Sequence, residues 1–133
     1  MGRLSTVFVA VALVAVVALV AAPPTDAKEG VVARVLTAIP RDALPGTEVI
    51  VAWLSVRDDD GKRHPFNAEA IFVRVLGVRS LVDYAGVQKP LGRYRAVIRV
   101  PSGGIRSIRF GLMGWNGSIP APAFFPIRGR LFR

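Results

Sequence analysis

Gly92-Arg93-Tyr94-Arg95-Ala96-Val97-Ile98-Arg99-Val100 is the stretch that decides the fold. Tyr94, Ala96, Ile98 and Val100 fall on one side of an extended backbone. Arg93, Arg95 and Arg99 fall on the other, with Val97 among them. Side chains of a β-strand alternate between two faces, so this period of two predicts a strand with one face on a core and one in water. Pro101-Ser102-Gly103-Gly104 then ends it.

The same signal recurs on both sides. Residues 31–39 (VVARVLTAI) read as a strand ended by Pro40. Residues 47–57 (TEVIVAWLSVR) are the strongest strand, with apolar residues at both parities, which predicts burial on both faces. Asp58-Asp59-Asp60-Gly61 reads as a turn. Strands follow at 70–76 and, shorter, at 79–84, with Gly77 and Gly86 marking turns. Another runs over 105–115 and closes on Asn116-Gly117, a two-residue hairpin pair. The tail is expected to add one irregular edge strand around 124–128, where proline is tolerated. About seven short strands, separated by Gly and Pro, predict an all-β antiparallel sandwich. Trp53, Phe72, Tyr94 and Phe110 are the expected large core fillers.

The first 27 residues read differently. Arg3 precedes an uncharged apolar run over 7–22, then Pro23-Pro24 and the small-residue triplet Thr25-Asp26-Ala27. That is the layout of a secretory signal, cut after Ala27 or after Ala22. The run over 4–22 is also long enough to cross a ~30 Å bilayer as an uncleaved anchor helix. Either reading puts the remainder outside the cytoplasm, secreted or associated with the cell envelope. The organisation is therefore 1–27 as signal or anchor, 28–117 as the sandwich, and 118–133 as a Pro-rich basic and apolar tail. The chain has no cysteine, which excludes disulfides, thiolate metal sites and a lipid-anchored amino-terminal Cys.

The formal net charge is +9, from 18 Lys+Arg against 9 Asp+Glu. Such a balance favours anionic partners: an envelope polymer, an anionic lipid or an acidic protein. The preference for Arg over Lys also fits the codon usage of a GC-rich genome, and both explanations stand.

The Gly92-x-Tyr94-x-Ala96 entry into what is expected to be the penultimate strand resembles the tyrosine corner of immunoglobulin-like domains. The continuation Val100-Pro101-Ser102-Gly103-Gly104-Ile105 resembles the last hairpin of small bacterial exported immunoglobulin-like domains, the YtkA-like and CopC-like groups among them. The likeness covers roughly residues 30–115, and Trp53 on an early strand fits it. It implies an immunoglobulin-like β-sandwich in which the Tyr94 hydroxyl bonds back to the backbone of 83–91, with Tyr94 and Trp53 as structural residues. Those groups often bind copper through His and Met. After the amino-terminal segment this chain has only His64 and Met113, too few for such a site, so the likeness implies fold and not copper binding.

Arg93, Arg95 and Arg99 are the candidate anion-binding residues. If 93–100 pairs with 105–115, Arg106 and Arg109 extend the same surface, and guanidinium groups there could grip phosphate or carboxylate. Other motifs read as structure. The three Asp of 58–60 are consecutive and no Glu stands in the closing position of a calcium loop, the nearest being Glu69. His64 precedes Pro65 in an expected exposed loop, without a Ser, Cys or carboxylate pairing that would make it a base. Leu44-Pro45-Gly46-Thr47 begins like a sortase signal but continues with Glu48. Asn116-Gly117-Ser118 is a sequon placed on a hairpin. One His, no Cys and no paired carboxylates predict no enzyme, no cofactor and no metal. The expected role is a non-catalytic binding module, contacting an anionic envelope component or acidic protein through its arginine face. Nucleic acid is not expected. The alternative is a structural module, tethered by its amino-terminal helix, that docks through the tail residues Phe124, Phe125, Ile127, Leu131 and Phe132.

Overall fold

Each stretch with an apolar period of two becomes a strand in the computed structural model, which describes residues 30–59 and 61–133. The strands are β1 (Val31–Val35), β2 (Glu48–Asp59), β3 (Lys62–Pro65), β4 (Ile71–Leu76), β5 (Leu81–Ala85), β6 (Val87–Gln88), β7 (Arg93–Arg99), β8 (Ser107–Asn116), β9 (Ile119–Phe125) and β10 (Ile127–Arg128). No helix occurs among the described residues. The signal or anchor expected at 1–27 lies outside them.

Two sheets form. The first runs β10-β1-β2-β7-β6, with β3 added to β2; the second runs β5-β4-β8-β9. Every pairing is antiparallel except β1 with β10. The inward faces meet in one core. Trp53 of β2 and Tyr94 of β7 stack with centroids 5.9 Å apart, and Phe110 of β8 tilts against Trp53 at 4.7 Å. All three are buried, with Val51, Val73 and Ile98 around them. Phe72, the fourth expected core filler, is also buried but stands on the outer face of the second sheet. There it meets Phe124 edge-on at 6.0 Å, beside the Arg74 guanidinium.

The molecule also differs from the sequence reading elsewhere: the first strand stops at Val35 instead of running to residue 39, residues 62–65 form β3 where a loop was expected, and β2 buries only one of its faces. The tail strand begins at Ile119 and pairs with β8 along its whole length, before β10 settles beside β1. The hairpin between them turns on Gly117-Ser118, one residue later than expected. Gly117 at φ 64° supplies the left-handed first position of a II′-type turn, leaving Asn116 in the ladder. Most consequentially, β7 and β8 do not pair. They belong to different sheets, joined by the connection through Pro101 and Gly104.

Candidate functional site: an arginine-rimmed apolar groove

The separation of β7 from β8 divides the expected arginine surface. Arg93, Arg95 and Arg99 are exposed on the outer face of the first sheet. Arg109 is exposed on the outer face of the second, its guanidinium carbon 3.7 Å above the Phe124 ring. Arg106 sits in the β7–β8 connection, beside Pro40, Arg41 and Phe132. The five residues therefore do not form one patch.

Register shows what does gather around Arg93 and Arg95. On β2, Ile50, Ala52, Leu54 and Val56 point outward, paired with Val97, Arg95 and Arg93 of β7 and with Pro65 of β3. On the other side of β2, Arg34 pairs with Leu54 and Val32 with Val56. Arg128 of β10 pairs with Arg34. One row across the face thus reads Arg128, Arg34, Leu54, Arg93. Below it lies the apolar row Val32, Val56, Pro65. The face carries six arginines (34, 63, 93, 95, 99 and 128) against Glu48 and Asp58. Glu48 approaches Arg99 at 3.8 Å and Asp58 approaches Arg63 at 3.6 Å, both long, exposed contacts of little energetic weight. Among the described residues, none of Arg34, Arg93, Arg95 and Arg128 has a carboxylate within ion-pair distance.

A groove of about 440 Å³ is sunk into this face. Its floor is Val32, Leu54 and Val56, with Pro65 and Leu91 as one wall and Arg34 and Arg128 opposite. It exists because β2 changes partner along one edge. β7 pairs with residues 48–54, and β3 with residues 56–59. Ser55 is the pivot: its N–H donates to the Gly92 carbonyl at 2.7 Å, and its carbonyl accepts from Phe66 N–H at 2.8 Å. Where the two partners part, Leu91 and Pro65 stand up from the sheet. Gly92 is required there. Its φ is 73°, and a Cβ at that position would lie 2.8 Å from Pro65 Cβ and 3.0 Å from the Ser55 carbonyl oxygen.

The remaining singled-out residues have local roles. The Tyr94 hydroxyl does bond to backbone, but to Ala68 rather than to 83–91. It accepts from Ala68 N–H at 3.1 Å and donates to Ala68 C=O at 3.4 Å. Asn67 Oδ1 braces the same connection, accepting from Gly92 N–H at 2.6 Å and Gln88 at 2.9 Å. On the second sheet, Arg74 makes a two-pronged pair with Asp83 at 2.7 and 2.9 Å. That hydrogen bond raises the Arg74 pKa; burial opposes the shift, and the charge of Asp83 adds to it. His64 is exposed on β3 and lines the groove's lower end. Among the described residues no three of His, Asp and Glu come together as a metal site. In the tail, Phe125 is buried in the core, Leu131 and Phe132 pack on it, and Phe124 lies under Arg109.

The arginine face was half legible. Arg93 and Arg95 followed from alternation, whereas Arg34 and Arg128 are far apart in sequence and meet only through the parallel β1–β10 pair. In comparisons with known proteins, no family model, no curated protein and no solved structure matches the chain, so the geometry carries the functional argument alone.

Proposed function

We propose that this chain is a non-catalytic, exported, immunoglobulin-like binding module that takes an anionic component of the cell envelope on the outer face of its first sheet. The strand order supports the immunoglobulin-like reading. β1, β2 and β7 form one sheet and β5, β4, β8 and β9 the other, with the chain's end lying parallel to β1. The amino-terminal sequence supports export. The observation that carries the binding role is the set of Arg34, Arg93, Arg95 and Arg128 on one face without carboxylate partners among the described residues.

Guanidinium groups left in water beside one another repel, and an anion between them relieves that repulsion while taking charge-assisted hydrogen bonds. Such binding depends on salt, because exposed charges are screened over ~10 Å at 0.1 M and ~3 Å at 1 M. Retention on anionic vesicles or wall polymer is expected to fall steeply between about 0.05 and 0.5 M salt. Arg93→Glu is expected to weaken it and Arg109→Glu, on the opposite sheet, to leave it unchanged. Retention that ignores salt, or an equal response to both variants, refutes the reading. Intact mass of the protein from its native envelope tests export and shows whether 1–27 is retained.

A further inference from the structure

We propose that the groove on the first sheet seats one acyl chain whose phosphate headgroup is gripped by Arg34 and Arg128. This rests on the anionic-partner reading above and names the ligand: a single-chain, phosphate-headed lipid.

Two arginines mark the place of the headgroup. Arg34 and Arg128 are direct register partners on one face, and both line the groove. Like charges placed opposite each other on a sheet destabilise it. Here the pair stands without a carboxylate among the described residues. Arg93, across Leu54, brings a third guanidinium to the same row. Two adjacent guanidiniums, with Arg93 beyond Leu54 adding positive charge, offer many N–H donors and suit an anion with several oxygens, which is phosphate rather than a lone carboxylate.

The groove floor suits the acyl chain. Val32, Leu54 and Val56 are aliphatic and only half-buried, and Leu91 on the wall is 68% exposed. From the row of Leu54 to that of Asp58 is four residues, about 13 Å of strand. From β1 across β2 to β3 is two strand spacings, about 10 Å before side chains are counted, which leaves width for one chain. A peptide fits the groove poorly. It would lie on the side-chain face of the sheet, where the amides below are already spent on the β1–β2, β2–β7 and β2–β3 ladders. Its own N–H and C=O groups would meet aliphatic carbon without partners. An acyl chain has no such groups. A second copy of this chain is disfavoured by the six arginines both faces would present.

The test uses the protein in the form its host accumulates, with three soluble probes: inorganic phosphate, and dodecyl phosphate and dodecyl maltoside, each of the two amphiphiles below its micelle concentration. Two sheltered methylenes already amount to roughly tenfold in affinity, so dodecyl phosphate is expected to bind more than tenfold tighter than inorganic phosphate. It should also outdo dodecyl maltoside, which has the chain without the charge. Leu91→Asp and Arg128→Glu each place a carboxylate at an exposed groove position and are each expected to weaken dodecyl phosphate at least tenfold. Arg109→Glu should not. Circular dichroism confirms that each variant is folded. Inorganic phosphate binding as tightly as dodecyl phosphate overturns the acyl seat and leaves the anionic reading standing. Equal binding of dodecyl maltoside overturns the phosphate grip, and with it both this proposal and the anionic reading. No binding of any probe overturns the acyl seat, with the vesicle experiment then judging the anionic reading by itself. Concentration-dependent dimers abolished by Leu91→Asp, or binding only after removal of 1–27, would assign the groove to a second copy or to the chain's own apolar segment, and also overturn the proposal.

Discussion

Removing one oxygen atom, in Tyr94→Phe, isolates the anchor between the two sheets. The ring is 2% exposed and stacks on Trp53, and phenylalanine keeps that packing. What disappears is the hydroxyl that accepts from Ala68 N–H and donates to Ala68 C=O. Leaving a buried donor without its partner costs about 1–3 kcal/mol. Ala68 is only half-buried, so water can partly replace the hydroxyl, and Asn67 still holds Gly92 and Gln88 next door. The lower part of the range applies, about 1–2 kcal/mol. For a domain near 100 residues that is roughly 5–12 °C in Tm. Thermal unfolding followed by circular dichroism gives Tm, and urea unfolding gives the midpoint and slope. The slope should not change, because the surface exposed on unfolding is the same. A Tm within about 2 °C of the parent would mean that the hydroxyl does not hold the β3–β4 connection, and that Tyr94 acts through its ring alone.

Three other substitutions test parts of the same fold. Ser55→Ala is expected to stabilise by about 0.5–1.5 kcal/mol, since Ser55 Oγ is buried with no hydrogen-bond partner among the described residues; a loss of stability on urea titration would reveal a partner. Gly92→Ala is expected to destabilise by at least about 2 kcal/mol, combining a left-handed φ with contact against Pro65 and the Ser55 carbonyl; a neutral midpoint would mean that β3 can swing away from β7. Asp83→Asn removes the two-pronged partner of the half-buried Arg74 and leaves that cation facing Arg109 in register. A loss of about 0.5–1.5 kcal/mol is expected, shrinking as salt is added; a loss that salt does not change would point to packing instead.

What the sequence made legible was local. Alternation in 93–100 placed Tyr94, Ala96 and Ile98 inside and Arg93, Arg95 and Arg99 outside, and that is how β7 lies. The stretch after β2 was less legible: Asp58 and Asp59, expected in a turn, end β2 opposite Arg63 and Lys62 of β3, a strand where an exposed loop was expected. What was not legible was which strand neighbours which. Residues 93–100 and 105–115 are adjacent in sequence, and adjacent strands commonly pair. Nothing in Pro101-Ser102-Gly103-Gly104 distinguishes a hairpin from a crossing between sheets, and the crossing moved Arg109 to the opposite side of the molecule. The same limit hid the Tyr94 partner, which is 26 residues upstream, and the Arg34–Arg128 pair, which depends on the only parallel pairing between the described strands.

The most telling mismatch is in β2. Apolar residues at both parities predicted burial on both faces, yet Ile50 is 47% exposed and Leu54 and Val56 are only half-covered. Its neighbour β7 obeys the two-faced rule, with three of its four outward positions arginine. A sheet face in water needs no Ile, Leu or Val; threonine or a charged residue serves a strand as well and keeps the surface from associating. A disagreement between local pattern and surrounding fold is where a site is expected. If the outer face of β2 had no occupant, Leu54→Thr would be neutral in every binding assay and would reduce association of the protein at high concentration. If the groove is occupied, the same change leaves the fold intact and weakens dodecyl phosphate while sparing inorganic phosphate, because it alters the floor and not the arginines. The two outcomes are opposite in one measurement, and together they decide whether the second apolar face of β2 is a remnant or a binding surface.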